Sequence, residues 1–420
     1  MVGLFFYRLG VLGYGVLVHL VSFWHIKARL WVRGRRNWYR TLSSSFSPQG
    51  ASVIWFHCAS LGEFEQGRAV MELFKQRHPE WKLVVTFYSP SGYEVRKNYP
   101  LADVVCYLPL DTPRNACRFI DLIKPRVAVF VKYEFWYYYL RELHRRNIAT
   151  YLISAIFRRE QAFFKGYGAL YRKWLLLFSG LMVQDHASVD LLAEYGITRG
   201  VQVVGDSRFD RVWQVAIGQT KPLEKLELFC TGASIFVAGS TWPPDEERLR
   251  PLLEVLPEGW KFILVPHEIH EANVQECMSR YAGLVVRYTA ESTPEILHAA
   301  RLLVVDQVGV LLSIYRYAAL AYIGGGFGVG IHNTLEPAAC GVPVFFGPNF
   351  TAFREARELV AIGAARALQT QEDFLHELLA MMSDSSRREE MGRLAREYVA
   401  ANIGASAKIV GTVERELLKE

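Results

Sequence analysis

Few of the features that would stabilise this chain covalently or bind a metal are present. It has six cysteines in 420 residues, at Cys58, Cys106, Cys117, Cys230, Cys277 and Cys340, with no C-x-x-C pair. That excludes a disulfide scaffold, argues against a structural zinc site and points to a reducing compartment. There is no internal repeat and no low-complexity block. No G-x-x-x-x-G-K-[ST] sequence occurs, which excludes a P-loop NTPase, and no G-x-S-x-G elbow is present. The eleven histidines show no metal-ligand spacing: His267 and His270 form an i, i+3 pair without a third ligand. With 51% hydrophobic and 21% charged residues the chain is neither disordered nor fibrous, and its length allows two or three domains with full cores.

The most informative absence is acid at the amino terminus. Residues 1–40 contain Arg8, Lys27, Arg29, Arg33, Arg35, Arg36 and Arg40 and no carboxylate, while the rest of the chain holds 41 basic and 42 acidic residues. The whole positive excess is therefore local, unlike the spread of basic residues expected over a nucleic-acid enzyme, so no nucleic-acid partner is expected. Leu4 to Trp24 is an almost continuous apolar run, close to the ~20 residues that cross a bilayer, and the basic cluster follows directly. No small-residue cleavage site follows the run, so it reads as a retained segment that contacts anionic lipid on the cytoplasmic side. Arg8, Gly15, His19 and Ser22 share one helix face, so the helix either spans the membrane or lies in its interface.

Beyond residue 50, near-continuous apolar runs alternate with amphipathic stretches. ASVIWFHCA, KLVVTFY, DVVCYLPL, RVAVFVKY, ATYLISA, GLMVQD and VQVVGD read as strands of a parallel sheet covered on both faces. Residues 211–233 break the rhythm and read as an interdomain connection. SIFVAGS, KFILVPH, GLVVRY, RLLVVDQ, LAYIGGG and VPVFFGP then restart it. The expected class is α/β, with two doubly wound Rossmann-like domains facing a cleft. Functional residues should stand just beyond the strands' carboxyl ends.

Several constellations stand there. Ser60 and Glu63 follow the first strand and fit a capping box; the same carboxylate pointing into a cleft would serve as a general base. Ser91 and Gly92 open a helix after the second strand, and Glu134 follows the fourth beside Phe135 and Trp136. Gly324-Gly325-Gly326, after an apolar strand, allows close backbone approach, and the helix start expected near Asn333 offers N–H groups to a phosphate. Glu336, before Gly341-Val342-Pro343, is suited to accept hydrogen bonds from ribose hydroxyls.

Taken together these residues resemble the Kdo transferase family, which transfers 3-deoxy-D-manno-oct-2-ulosonic acid (Kdo) to a lipid A precursor. The resemblance runs through His57-Cys58-Ala59-Ser60-Leu61-Gly62-Glu63, Thr86 to Gly92, Tyr107 to Asp111, Glu134-Phe135-Trp136, Gly205 to Asp210, Ala238 to Thr241 and His332 to Ala339. It implies the GT-B glycosyltransferase fold, an inverting reaction and no cofactor or catalytic metal. It further implies a membrane-associating segment (1–40), an acceptor-binding domain (41–215) and a CMP-Kdo-binding domain (216–420). Implied partners are CMP-Kdo, a lipid A precursor and the anionic membrane surface, at the cytoplasmic face of the bacterial inner membrane. By the same resemblance Glu63 is the catalytic base, with Glu134 the second catalytic carboxylate. Arg208, Ser240, Thr241, Pro266, His267, Gly325, Gly326, Asn333 and Glu336 hold the donor, and Ser60, Gly62, Ser91 and Gly92 face the acceptor. Two rival readings are a GT-B enzyme using a UDP-sugar and a non-catalytic nucleotide-sugar-binding membrane protein.

Overall fold

Apolar runs without alternation need cover on both faces, and that requirement sets the architecture. The computed structural model describes residues 2–218, 222–281 and 285–417. It contains two parallel seven-stranded sheets flanked by helices. The first comprises β1 (Val53–Cys58), β2 (Lys82–Phe87), β3 (Val104–Tyr107), β4 (Val127–Val131), β5 (Ala149–Ala155), β6 (Gly180–Val183) and β7 (Val201–Val203), in the order β3-β2-β1-β4-β5-β6-β7. The second comprises β8 (Ser234–Thr241), β9 (Trp260–Pro266), β10 (Val285–Arg287), β11 (Leu302–Val304), β12 (Ala318–Ile323), β13 (Val344–Phe346) and β14 (Ala365–Ala367), in the order β10-β11-β9-β8-β12-β13-β14. Each expected strand is present. In GLVVRY, Gly283 and Leu284 lie outside the described residues. The sequence carries no sign of β14, whose three residues form no apolar run.

Strand order reverses at β1/β4 in the first sheet and at β8/β12 in the second, and each reversal opens a crevice beyond the carboxyl ends of those strands. Buried clusters fill both faces of the first sheet, one around Trp55, Phe119 and Phe130, the other around Phe56, Phe64 and Val85. Phe236, Phe262 and Tyr322 belong to the core of the second.

Two expected boundaries need correction. The chain divides into Met1–Arg211 with Gly404–Glu420, and Val212–Ile403. The second unit thus does not run from 216 to 420, because the helix Ala405–Leu417 buries Ile409, Val410 and Val413 in the first unit's core. Asp210 fixes its start, accepting hydrogen bonds from the backbone N–H of Gly404 at 2.5 Å and of Ser406 at 2.6 Å. Residues 211–233 contain no strand among the described residues but carry two helices, Ser207–Ile217 and Glu224–Cys230; Gln219 to Lys221 lie outside the described residues.

The second correction concerns residues 1–40, which are part of the first unit. They form α1 (Val2–Val21), α2 (Ile26–Arg35) and the start of α3 (Trp38–Ser45). Tyr7 Oη donates to Asp111 at 2.5 Å, Trp31 is buried, and Arg35 donates to the carbonyls of Leu108 and Tyr88, at 2.8 Å each. Arg35 also lies over the rings of Trp31, Tyr88 and Tyr107. One of the seven basic residues is therefore a packing residue; the other six are exposed. The outer side of α1 stays bare, with Phe5, Leu9, Val16, Leu17 and Leu20 exposed. The tip beyond it exposes Phe23 and Trp24 at 75% and 74%.

Candidate active site

In the first unit, β1 delivers His57 and Cys58 to the crevice and β4 delivers Lys132, whose positive φ of 67° turns the chain sharply towards Glu134. Glu134 is buried and heads a polar chain through the core. His57 Nε2 lies 3.0 Å from Glu134 Oε2, and His57 Nδ1 lies 2.8 Å from Thr86 Oγ1. Trp55 Nε1 donates to Thr86 Oγ1 at 2.8 Å, and Trp136 Nε1 donates to Glu134 Oε2 at 2.6 Å. One assignment supplies every donor with an acceptor. Trp55 N–H donates to Thr86, Thr86 O–H to His57 Nδ1, and His57 Nε2–H to Glu134 Oε2. Buried polar groups held this way are costly to disturb.

Glu63 stands in the first turn of α4 (Leu61–Arg77), directly after β1. Only half of the expected capping box forms. The Glu63 carboxylate accepts from the backbone N–H of the N-cap residue Ser60 and also from that of Ala59 before it, but the Ser60 hydroxyl makes no capping bond. Burial, reinforced by the neighbouring Glu134 charge, raises the Glu63 pKa to about 7, against the pull of backbone N–H groups and Lys132. The two readings of Glu63 are thus compatible. It rests on the backbone and still titrates where a general base is most useful.

Of the acceptor-side residues, Ser60 and Gly92 are in contact. A Cβ on Gly92 would meet the Phe87 ring and the Ser60 backbone, whereas Gly62 and Ser91 are exposed. Arg208 also belongs to the first unit, where its guanidinium pairs with Asp206 at 2.7 Å. The other eight donor-site candidates are all in the second unit.

In that unit, Ser240 and Thr241 end β8 and the three glycines follow β12. Ser240 takes a φ of 54°. Thr241 Oγ1 donates to Glu246 at 3.1 Å, and His267 N, next after Pro266, donates to Thr241 O at 2.9 Å. Gly325, expected among the donor-holding residues, has its N–H already engaged: it donates to buried Asp245 at 2.8 Å, and Tyr322 Oη donates to the other Asp245 oxygen at 2.7 Å. The glycine is needed here because its φ is 91° and a Cβ would collide with the Gly330 carbonyl. Gly326 packs against Gly347. The expected helix start at Asn333 is corrected. The helix is the short Leu335–Ala339 with Thr334 at its N-cap, and Asn333, one residue earlier, braces its start, Oδ1 accepting from Leu335 N at 3.2 Å and Nδ2 donating to Glu336 Oε1 at 3.0 Å.

An aromatic wall stands beside these groups. Trp242 stacks on His267 at 4.6 Å between centroids, His267 stacks on His332 at 4.3 Å, and Trp242 Nε1 donates to His332 Nε2 at 2.9 Å. Burial, with His267 alongside, lowers the His332 pKa to about 4, so its ring is neutral and accepts that bond. His57, Thr86, Trp136, Trp242, Asp245 and His332 are site residues to which the sequence reading gave no role. Four of them, His57, Thr86, Trp136 and His332, stand within the stretches that carry the family resemblance, and Trp242 and Asp245 follow closely on the end of β8.

A family model described as 3-deoxy-D-manno-octulosonic-acid transferase (kdotransferase) matches residues 32–211. The chain is 26% identical over 365 residues to the 3-deoxy-D-manno-octulosonic acid transferase of Chlamydia pneumoniae, covering 84% of this chain and 83% of the relative. It is 28% identical over 335 residues to the enzyme of that name from Chlamydophila psittaci, covering 76% and 75%. Among solved structures, UDP-GlcNAc 2-epimerase from Neisseria meningitidis, bound to UDP-GlcNAc, superposes with a TM-score of 0.61 at 15% identity, covering 87% of this chain and all of the other. That likeness concerns the fold.

Proposed function

We propose that the chain is a glycosyltransferase of the Kdo transferase family and that it transfers Kdo from CMP-Kdo to a lipid A precursor at the cytoplasmic face of the bacterial inner membrane. The observation that carries the mechanism is the Glu63 carboxyl, held at a strand end with its pKa raised to about 7. Glu63 takes the proton of the acceptor hydroxyl as that oxygen bonds to the anomeric carbon of Kdo. The bond from that carbon to the phosphate oxygen breaks, and CMP leaves with the electron pair, which inverts the centre. One base suffices for such a displacement. Glu134 keeps one carboxylate oxygen, Oε2, engaged by His57 and Trp136; its role is to hold negative charge beside Glu63 and so keep that base near neutrality.

The donor belongs to the second unit. Glu336, oriented by Asn333, accepts from the ribose hydroxyls, and Ser240 serves the phosphate, since the Thr241 hydroxyl and the Gly325 N–H are already engaged. Trp242, His267 and His332 offer the base a stacking wall. In the first unit, Arg208 attracts the anionic donor as a partly exposed guanidinium. The bare face of α1, the Phe23–Trp24 tip and the six exposed basic residues form the membrane contact. Because Tyr7 bonds α1 to the folded unit, the helix lies in the interface plane.

The test is CMP release by the full chain supplied with CMP-Kdo, with and without a phosphorylated acyl-disaccharide. Release that requires the lipid supports the reading. Lipid-dependent release of UDP from a UDP-sugar, with none of CMP, would replace it.

A further inference from the structure

An apolar groove of about 750 Å³ runs between α1 and the helix Ala169–Leu175, and nothing in the mechanism above uses it. Gly10 and Tyr7 lie on one wall, Leu170 and Trp174 on the other, with Tyr88 and Trp136 at its inner side. A second hollow shares Tyr7, Trp136 and Trp174 and is lined by Glu134 itself. The groove thus leads from the exposed apolar face of α1 to the indole whose N–H donates to Glu134. Its size is that of a site for one small molecule or chain, within the usual range of about 300–1,000 Å³.

No acid lines the groove, and exposed basic residues stand next in sequence to its lining: Arg8 follows Tyr7 on α1, and Lys173 precedes Trp174 on the facing helix. An apolar groove with no acid in its lining and exposed basic residues beside it complements an acyl chain attached to an anionic head. It does not suit a peptide, whose backbone groups would go unpaired between aromatic walls.

Resting on the function proposed above, we infer that this groove takes one acyl chain of the lipid acceptor, making α1 part of the acceptor site as well as a membrane contact. The chain would lie against Leu170 and Trp174, so that the head group arrives beside Glu134 and Glu63.

The test measures binding, so it is independent of which sugar is transferred. Full-length protein is titrated with phosphorylated disaccharides bearing monodisperse short acyl chains of decreasing length, and with the deacylated head group. Affinity should fall about fourfold for each methylene removed. Gly10→Leu fills the groove: a Cβ there meets nothing within 4 Å, and replacing a helical glycine does not weaken the helix. It should flatten the chain-length dependence and reduce the ratio of acylated to deacylated affinity at least tenfold. Gly13→Leu adds the same bulk at another open position of α1 that does not line the groove and should keep the parent's dependence.

Affinity independent of chain length in the parent, or equal effects of Gly10→Leu and Gly13→Leu, would overturn the inference. So would a simple phospholipid of matched chain length competing as well as the acylated disaccharide, because the groove would then hold bilayer lipid. Failure of Kdo transfer with these results intact would count against the catalytic reading alone.

Discussion

Neutralising Glu134 should move the acid limb of the rate profile towards lower pH. The Glu63 carboxyl is raised from 4.5 to about 7, with burial as the largest cause and the Glu134 charge second. Glu134 therefore supplies the smaller of the two raising effects, and Glu134→Gln should lower the limb, by about one pH unit. Gln retains an oxygen that can accept from His57 and Trp136, so the polar chain survives. A base must be ionised to act. With a limb near 7 only about a tenth of Glu63 is ionised at pH 6, and with a limb near 6 about half is. Relative to its own plateau, the variant should thus gain about fivefold at pH 6. The stability effect has the opposite sense. Because the folded-state pKa lies above the unfolded one, protonated Glu63 favours the fold; that contribution is full below about pH 4.5 and is lost as pH rises through about 7. The assay is kcat against pH for parent and variant, with melting curves over the same range. A limb that stays near 7 in Glu134→Gln, or moves up, would refute the coupling. Survival of the same limb in the residual activity of a Glu63→Gln protein would refute the assignment to Glu63.

Glu63→Gln should reduce turnover by at least about 10² with melting temperature and CMP affinity close to the parent; near-normal turnover would leave Glu63 only its bonds to the backbone. Glu336→Ala should weaken CMP binding more than about tenfold in titration calorimetry, since hydrogen bonds to a charged acceptor contribute about 1.5–3 kcal/mol; unchanged affinity would remove it from the donor site. Deleting residues 1–40 should weaken binding to anionic vesicles, at about 1 kcal/mol for each basic residue near the surface. It should also lower the melting temperature, because Trp31, Arg35 and the Tyr7–Asp111 bond are lost. A truncated protein that melts like the parent would show the segment to be a detachable anchor.

The two sheets were legible because each strand covered on both faces announces itself as an apolar run, and β1 is buried at all six positions. β14 was not, since Ala-Arg-Ala on an outer strand needs little apolar cover. Strand ends located Glu63 and Glu134, but partnership was invisible. His57 and Glu134 lie 77 residues apart, and nothing local says that one bonds the other. The glycines were read as a phosphate cradle because glycine signals close approach without saying to what; at Gly325 the partner is the buried Asp245. The stripe Ile409, Val410, Val413 marks a buried helix face, yet periodicity cannot tell which core receives it.

That last helix packs on α4, where Glu414 pairs with Arg77 at 3.0 Å and with His78 at 2.9 Å. The helix bearing Glu63 is therefore buttressed by residues synthesised after the whole of Val212–Ile403. During translation the first unit exposes the cleft meant for Ile409 and Val413 until those residues leave the ribosome, a wait set by a synthesis rate of ~5–20 residues per second. Closing so long a loop costs less when the intervening segment has already folded and brings its ends together. The chain's threading fixes the order of synthesis: the inserted unit is complete before residue 405 emerges, and the base-bearing helix acquires its final support last, so that a nascent chain stalled short of residue 405 would carry Glu63 on an unsupported helix.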